Sequence, residues 1–154
     1  MRTARNKASR AYSEESAKEL TIGKGYVHRT GTDVAIIACG VMLNEALDAA
    51  DILSKSGIDA TVVDMHTIKP LDTELITKLA KECGAIVTAE DHSIIGGLGG
   101  AVAECIVSKH PVPLERVGVQ DRFGESGGSD ELLELLNMKA KDIVKAANTA
   151  IGRR

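Results

Sequence analysis

The stretch Ala85-Ile-Val-Thr-Ala-Glu-Asp-His-Ser-Ile-Ile-Gly-Gly-Leu-Gly-Gly-Ala101 constrains the fold more than any other part of the chain. Ala85 to Ala89 is a nearly unbroken apolar run, the pattern of a strand buried on both faces of a parallel sheet. It delivers Glu90, Asp91 and His92 at its carboxyl end. Gly96, Gly97, Gly99 and Gly100 then let the backbone turn tightly and come close to whatever lies opposite. Ala101-Val-Ala-Glu-Cys-Ile-Val opens a helix. Strand, glycine turn and helix in that order form one unit of an open α/β sheet, which meets ligands and partners at the carboxyl ends of its strands.

The rest of the chain repeats the unit. Tyr26 to Thr30 is a short strand, Gly31-Thr32 a turn, and Asp33 to Ala38 a second, fully buried strand. So short a turn leaves no room for a crossover helix, so these two strands cannot be parallel neighbours, and one antiparallel strand is expected. Val41 to Ser56 is a helix with Leu43, Leu47, Ala50 and Leu53 on one face, ended by Gly57. Asp59 to Asp64 is the third strand and Met65 to Pro70 its exit loop. Asp72 caps a helix carrying Leu75, Leu79 and Cys83, closed by Gly84. Pro111-Val-Pro113 breaks the helix after the glycine turn, and Leu114 to Val119 is the last strand. Gln120 to Gly128 is a polar, glycine-rich loop. Ser129 caps a short helix to Leu136, and Lys139 to Ile151 is the last helix, with Ile143, Ala146, Ala147 and Ala150 inward. The expected architecture is a three-layer α/β/α sandwich around a mixed, mostly parallel five-stranded sheet with one antiparallel strand. Residues 1–20, polar and charge-rich, read as an arm or linker unable to fill one side of a core, and 21–154 as the domain.

Composition removes several function classes. Two Tyr, one Phe and no Trp leave no stacking platform for bases, and a net charge of -3 argues against a nucleic-acid footprint. No apolar run approaches the roughly 20 residues that span a bilayer, and the charged start lacks the apolar segment of a secretory signal. Cys39, Cys83 and Cys105, an odd number without C-x-x-C spacing, read as buried thiols in a reducing cytosol. A cytoplasmic location is expected.

The strand-end rule gathers Cys39-Gly40, Asp64 to His66, Glu90 to His92 and Asp121-Arg122 on one rim. Three readings compete there. His66, His92 and the carboxylates have the donor types of a divalent-ion site but no ligand spacing. The glycine turn suits an anion, yet Gly97-Leu-Gly-Gly-Ala-Val102 misses the last position of G-x-G-x-x-G. The preferred reading is a rim packed against another domain or chain, with glycines allowing close approach and charges pairing across the contact. Its candidate residues are Asp64, His66, Glu90, Asp91, His92, Gly96, Gly97, Gly99, Gly100, Asp121, Arg122, Phe123, Gly124, Glu125, Ser126 and Gly127. His28 is read as solvent-facing on an edge strand and His110 as a surface helix end.

Several motifs together carry a resemblance. They are Gly23-Lys-Gly25, Asp33-Val-Ala-Ile-Ile-Ala-Cys-Gly40, Val63-Asp-Met-His-Thr-Ile-Lys-Pro-Leu-Asp72, Glu90-Asp-His with Gly96-Gly-Leu-Gly, and Asp121-Arg-Phe-Gly-Glu-Ser-Gly127. In this order they resemble the C-terminal domain of transketolases, related to the ends of 1-deoxyxylulose-5-phosphate synthases and 2-oxoacid dehydrogenase β subunits. Met1 to Arg5 resembles the end of the preceding pyrimidine-binding domain, so the resemblance implies a chain that starts at a domain border, whether a subunit of a split enzyme or a piece of a longer one. It implies a mixed five-stranded fold and a non-catalytic assembly role in a homodimeric enzyme of the pentose phosphate pathway that transfers two-carbon ketol units between sugar phosphates. Such enzymes bind thiamine diphosphate and magnesium between a diphosphate-binding and a pyrimidine-binding domain, the expected partners here. The Gly-Asp-Gly motif of the first and the activating Glu of the second are absent, so no residue here inherits a catalytic, cofactor or metal role. The alternatives are a small-molecule-binding regulatory module using the glycine rim, or the equivalent domain of a 2-oxoacid dehydrogenase β subunit.

Overall fold

The computed structural model describes residues 9–154; what was read from Met1 to Ala8 lies outside the described residues. In chain order the elements are β1 (Tyr26–Arg29), β2 (Val34–Ala38), α1 (Met42–Lys55), β3 (Ala60–Asp64), α2 (Thr73–Cys83), β4 (Ile86–Ser93), α3 (Leu98–Lys109), β5 (Leu114–Val119), α4 (Ser129–Leu135) and α5 (Ala140–Ile151). The strands form one five-stranded sheet in the order β1-β3-β2-β4-β5. Neighbours from β3 to β5 are parallel, and β1 is antiparallel to β3 at one edge. This is the expected mixed sheet.

The short turn after β1 does not make a hairpin. β3 lies between β1 and β2, so the link crosses the amino end of β3. A Cβ at Gly31 would meet the backbone of Asp59 and Ala60 at 2.6 Å, which explains the glycine. The crossing is tied down by Thr61, whose hydroxyl donates to the Gly31 carbonyl at 2.7 Å and accepts from the Gly31 N–H at 2.8 Å.

The residues of β2 and β3, and of β4 as far as Glu90, are buried on both faces, the reason these strands read as apolar runs rather than alternations. Val34, Ile36 and Ala38 pack toward α1 and α5. Ala35 and Ile37 pack toward α2 and α3 with Ile76, Leu79, Leu98 and Val102. Asp72 caps α2 as expected, accepting from the Leu75 N–H at 3.1 Å, and Gly84 ends it with φ 67°. The cap of α4 is one residue earlier than expected. Gly128 holds that position, its N–H donating to Glu131 at 3.2 Å, while Ser129 opens the helix. On α5, Ala146 is only half-buried beside Ile143, Ala147 and Ala150.

Three departures bear on the rim. β4 runs on to Ser93 instead of stopping at Ala89, but its pairing slips: Ala89 faces Val117 and Ser93 faces Val119. The bulge of Glu90, Asp91 and His92 lies over Gly118, where a Cβ would come within 2.8 Å of the His92 carbonyl oxygen. α3 begins at Leu98 rather than Ala101, so Gly99 and Gly100 belong to its first turn. The arm reaches the core after all: Ala11 and Tyr12 pack against the α1/α5 side of the sheet.

Candidate functional site

The β4 bulge aims Glu90 back into the protein. Its side chain is buried, 1% exposed, and accepts from the Leu98 and Gly99 N–H groups at 2.7 Å each. These are first-turn amides of α3, the donors a helix leaves without intrahelical partners. A carboxylate on them also meets the positive end of the helix dipole. The glycines make room: a Cβ at Gly97 would lie 2.0 Å from Glu90 Oε2, and one at Gly99 would lie 2.8 Å from Arg116 Cδ and 2.9 Å from Thr88 Oγ1. Gly96 turns with φ 77°. The anion reading of the glycine turn is thereby corrected, because the chain's own carboxylate takes the helix amides that a phosphate would use.

A second cluster, missed from sequence, surrounds Asp64. This carboxylate, 6% exposed at the end of β3, accepts from the Tyr12 hydroxyl at 2.5 Å. Pairing of β1 with β3 skips His28, the residue between Val27 and Arg29, and Tyr26 sits opposite Asp64. The irregularity aims His28 at the tyrosines, with ring centroids 4.7 Å from Tyr12 and 4.8 Å from Tyr26. His28 is therefore half-buried in an aromatic cluster, not solvent-facing. Burial pushes the Asp64 carboxyl above its ordinary value, against the Tyr12 hydrogen bond. Burial likewise pushes His28 down and Tyr12 up. His28 Nε2 and Asp64 Oδ1 are buried without a hydrogen-bond partner. Scarcity was the available signal, since Tyr12 is one of only two tyrosines.

The other rim candidates are surface residues. His66, Asp91 and His92 are exposed, and His92 Nδ1 bonds the Ser93 carbonyl at 2.8 Å. Asp121 to Gly127 form an exposed loop in which Arg122 pairs with Glu125 and Phe123 is 96% exposed. Ile68 and Ile95 are also exposed apolar residues, on the loops after β3 and β4. A groove of about 550 Å³ runs between the loop after β3 and the glycine turn, lined by Ile68, Leu71, Gly97, Ala101, Glu104 and Cys105.

Among the described residues no group of three or more His, Cys, Asp or Glu is placed to hold a metal ion. The two buried rim carboxylates already accept from donors of the chain itself. Cys83 and Cys105 are buried thiols and Cys39 is half-buried. No helix among the described residues is long and apolar enough to cross a membrane.

Fold and rim define a class: a three-layer α/β/α domain with an antiparallel edge strand and a glycine turn closed from within by a glutamate. A family model described as "Transketolase, C-terminal domain" matches residues 23–143. The chain is 48% identical over its whole length to 47% of a 6-deoxy-6-sulfo-D-fructose transketolase subunit of Clostridium sp.. It is 48% identical over 87% of its length to 42% of a "Putative transketolase C-terminal section" of Methanocaldococcus jannaschii. It is 42% identical over 86% of its length to 21% of the 1-deoxy-D-xylulose-5-phosphate synthase of Trichormus variabilis. A solved structure described as "Split gene transketolase, inactive beta4 tetramer" matches with a TM-score of 0.92 and 44% identity, over 97% of this chain and 49% of that one. The chain belongs to the transketolase C-terminal domain family, as the resemblance implied. It spans about half the length of the transketolase relatives it matches, and less of the synthase.

Proposed function

We propose that this chain is the assembly domain of a transketolase-type, thiamine-diphosphate-dependent enzyme, and that the whole enzyme moves two-carbon ketol units between sugar phosphates. The observation that carries the reading is the split character of the rim. Its buried carboxylates serve the domain's own fold, while Ile68, Ile95 and Phe123 stand exposed on the loops after β3, β4 and β5. Exposed apolar side chains on one rim are the surface that a neighbouring domain or subunit covers. The names of the relatives, a transketolase subunit and a split-gene tetramer, support association of this kind. In this reading the partners are the diphosphate-binding and pyrimidine-binding parts of the same enzyme, joined in a homodimer. The cofactor, its magnesium ion and the sugar are bound outside this chain. The relatives include a sulfosugar transketolase and a deoxyxylulose phosphate synthase, so the choice of sugar, and with it the pathway, is assigned to those other parts.

The test is direct. Purified chain alone should show no ketol transfer and no heat of binding with thiamine diphosphate and magnesium. Adding the diphosphate-binding and pyrimidine-binding parts should give transfer, and Phe123→Asp should weaken that association while leaving the circular dichroism spectrum unchanged. Turnover by the chain alone would sink the reading.

A further inference from the structure

We propose that the segment from Ser9 to Tyr12 is a releasable strap over the sheet edge, latched by Tyr12 on Asp64, which opens most readily at mildly acidic pH. Among the described residues the strap is held at few points. Asn44 Nδ2 donates to the Ser9 carbonyl at 3.2 Å, Ala11 packs on the α1/α5 side, and the Tyr12 ring sits on Tyr26 and His28 with its hydroxyl on Asp64. The 3-10 turn that follows, Ser16–Glu19, buries no residue. A segment with so few buried contacts belongs to the low-stability end of a structure. Opening it bares Tyr26 and His28 of β1 beside Asp64 at the end of β3.

The groups facing Asp64 are Tyr12 from the strap, Tyr26 and His28 from β1, and His66 just beyond β3. Closed, the strap desolvates an acid and a base together and orphans one polar atom on each, Asp64 Oδ1 and His28 Nε2. Burial favours the uncharged form of both, holding Asp64 above its ordinary 3.8 and His28 below its ordinary 6.5. Opening lets each return toward its ordinary value, so His28 takes up a proton and Asp64 loses one. Between those two values the open strap leaves a carboxylate and an imidazolium side by side in water, the pair that the closed strap disfavours. Acidification from neutral therefore loosens the strap through His28, and stronger acid tightens it again through Asp64. The Tyr12 hydroxyl, pushed up from 10.0, stays protonated throughout.

Tyr12 reports its own release. The chain has two tyrosines and no tryptophan, and a phenol bonded to a carboxylate is quenched. Emission of the Tyr26→Phe chain, and of the unaltered chain, should rise as the pH falls from about 7.5 toward about 5 with the far-UV circular dichroism unchanged. His28→Gln should abolish that rise. Flat emission in the unaltered chain, a rise that tracks loss of circular dichroism, or an equal rise in His28→Gln would each overturn the proposal.

Discussion

Glu90 shows how one side chain can set the geometry of a whole rim. It joins the end of β4 to the first turn of α3 through two short hydrogen bonds in a place water does not reach. Glu90→Ala would leave two amides buried without partners, a loss of about 3 kcal/mol measurable by denaturant unfolding. The neighbouring glycines separate by what surrounds them. Gly97→Ala forces a Cβ into the space of the carboxylate, 2.0 Å from Oε2, and is expected to cost about 2 kcal/mol or more. Gly100 lies in α3 with nothing within 4 Å of its Cβ position. Gly100→Ala is therefore expected to stabilise by about 0.5–1 kcal/mol, since alanine restricts the unfolded chain and favours the helix. Finding the two alanine variants equally stable would mean that Glu90 is not held as described.

Among elements, the helices and strands were legible because each obeys one local rule. Buried parallel strands read as apolar runs, and helices read from periodicity and their ends. Asp72 is such an end and also a fastener. Besides the Leu75 amide it accepts from the Gly25 N–H at 3.1 Å, which ties the approach to β1 onto α2. Asp72→Ala is expected to cost about 2 kcal/mol, and Asp72→Asn less, since the amide oxygen still accepts. Thermal unfolding of both variants checks the order. The two sheet irregularities were not legible. A bulge is a relation between two strands, and neither His28 nor Glu90 carries a local mark that its pairing will slip. The early start of α3 escaped for a related reason. Glycine is a poor helix former, and only the capping carboxylate, with the tight approach of Gly99 to Thr88 and Arg116, places Gly99 and Gly100 in the first turn.

At the scale of the whole molecule, the sheet's edge is closed by the chain's own arm, and this costs the protein a buried carboxylate. Because burial raises Asp64, its contribution to stability is complete below the ordinary value of 3.8 and is lost as the pH climbs through the raised one. At neutral pH the buried charge is a net burden. Asp64→Asn removes it while an amide oxygen still accepts from Tyr12. The variant should melt above the parent at about pH 7, with the gap closing toward about pH 4. A variant that melts lower at neutral pH would mean that the Tyr12 hydrogen bond needs the full charge.

The sequence by itself determined the layers, the strand and helix order, the antiparallel edge strand and the family. All of these rest on local periodicity, on glycine, proline and capping residues, and on motifs kept in order along the chain. It also brought Asp64, Glu90 and the glycine turn to one rim, because strand ends in an open α/β sheet fall there. Only the tertiary structure decided which way those side chains face. The β4 bulge turned Glu90 inward onto α3, the slip in β1 put His28 among the tyrosines, and Tyr12 came from 52 residues away to cover Asp64. Burial and hydrogen bonding between distant residues are fixed when the layers close, and no local pattern encodes them.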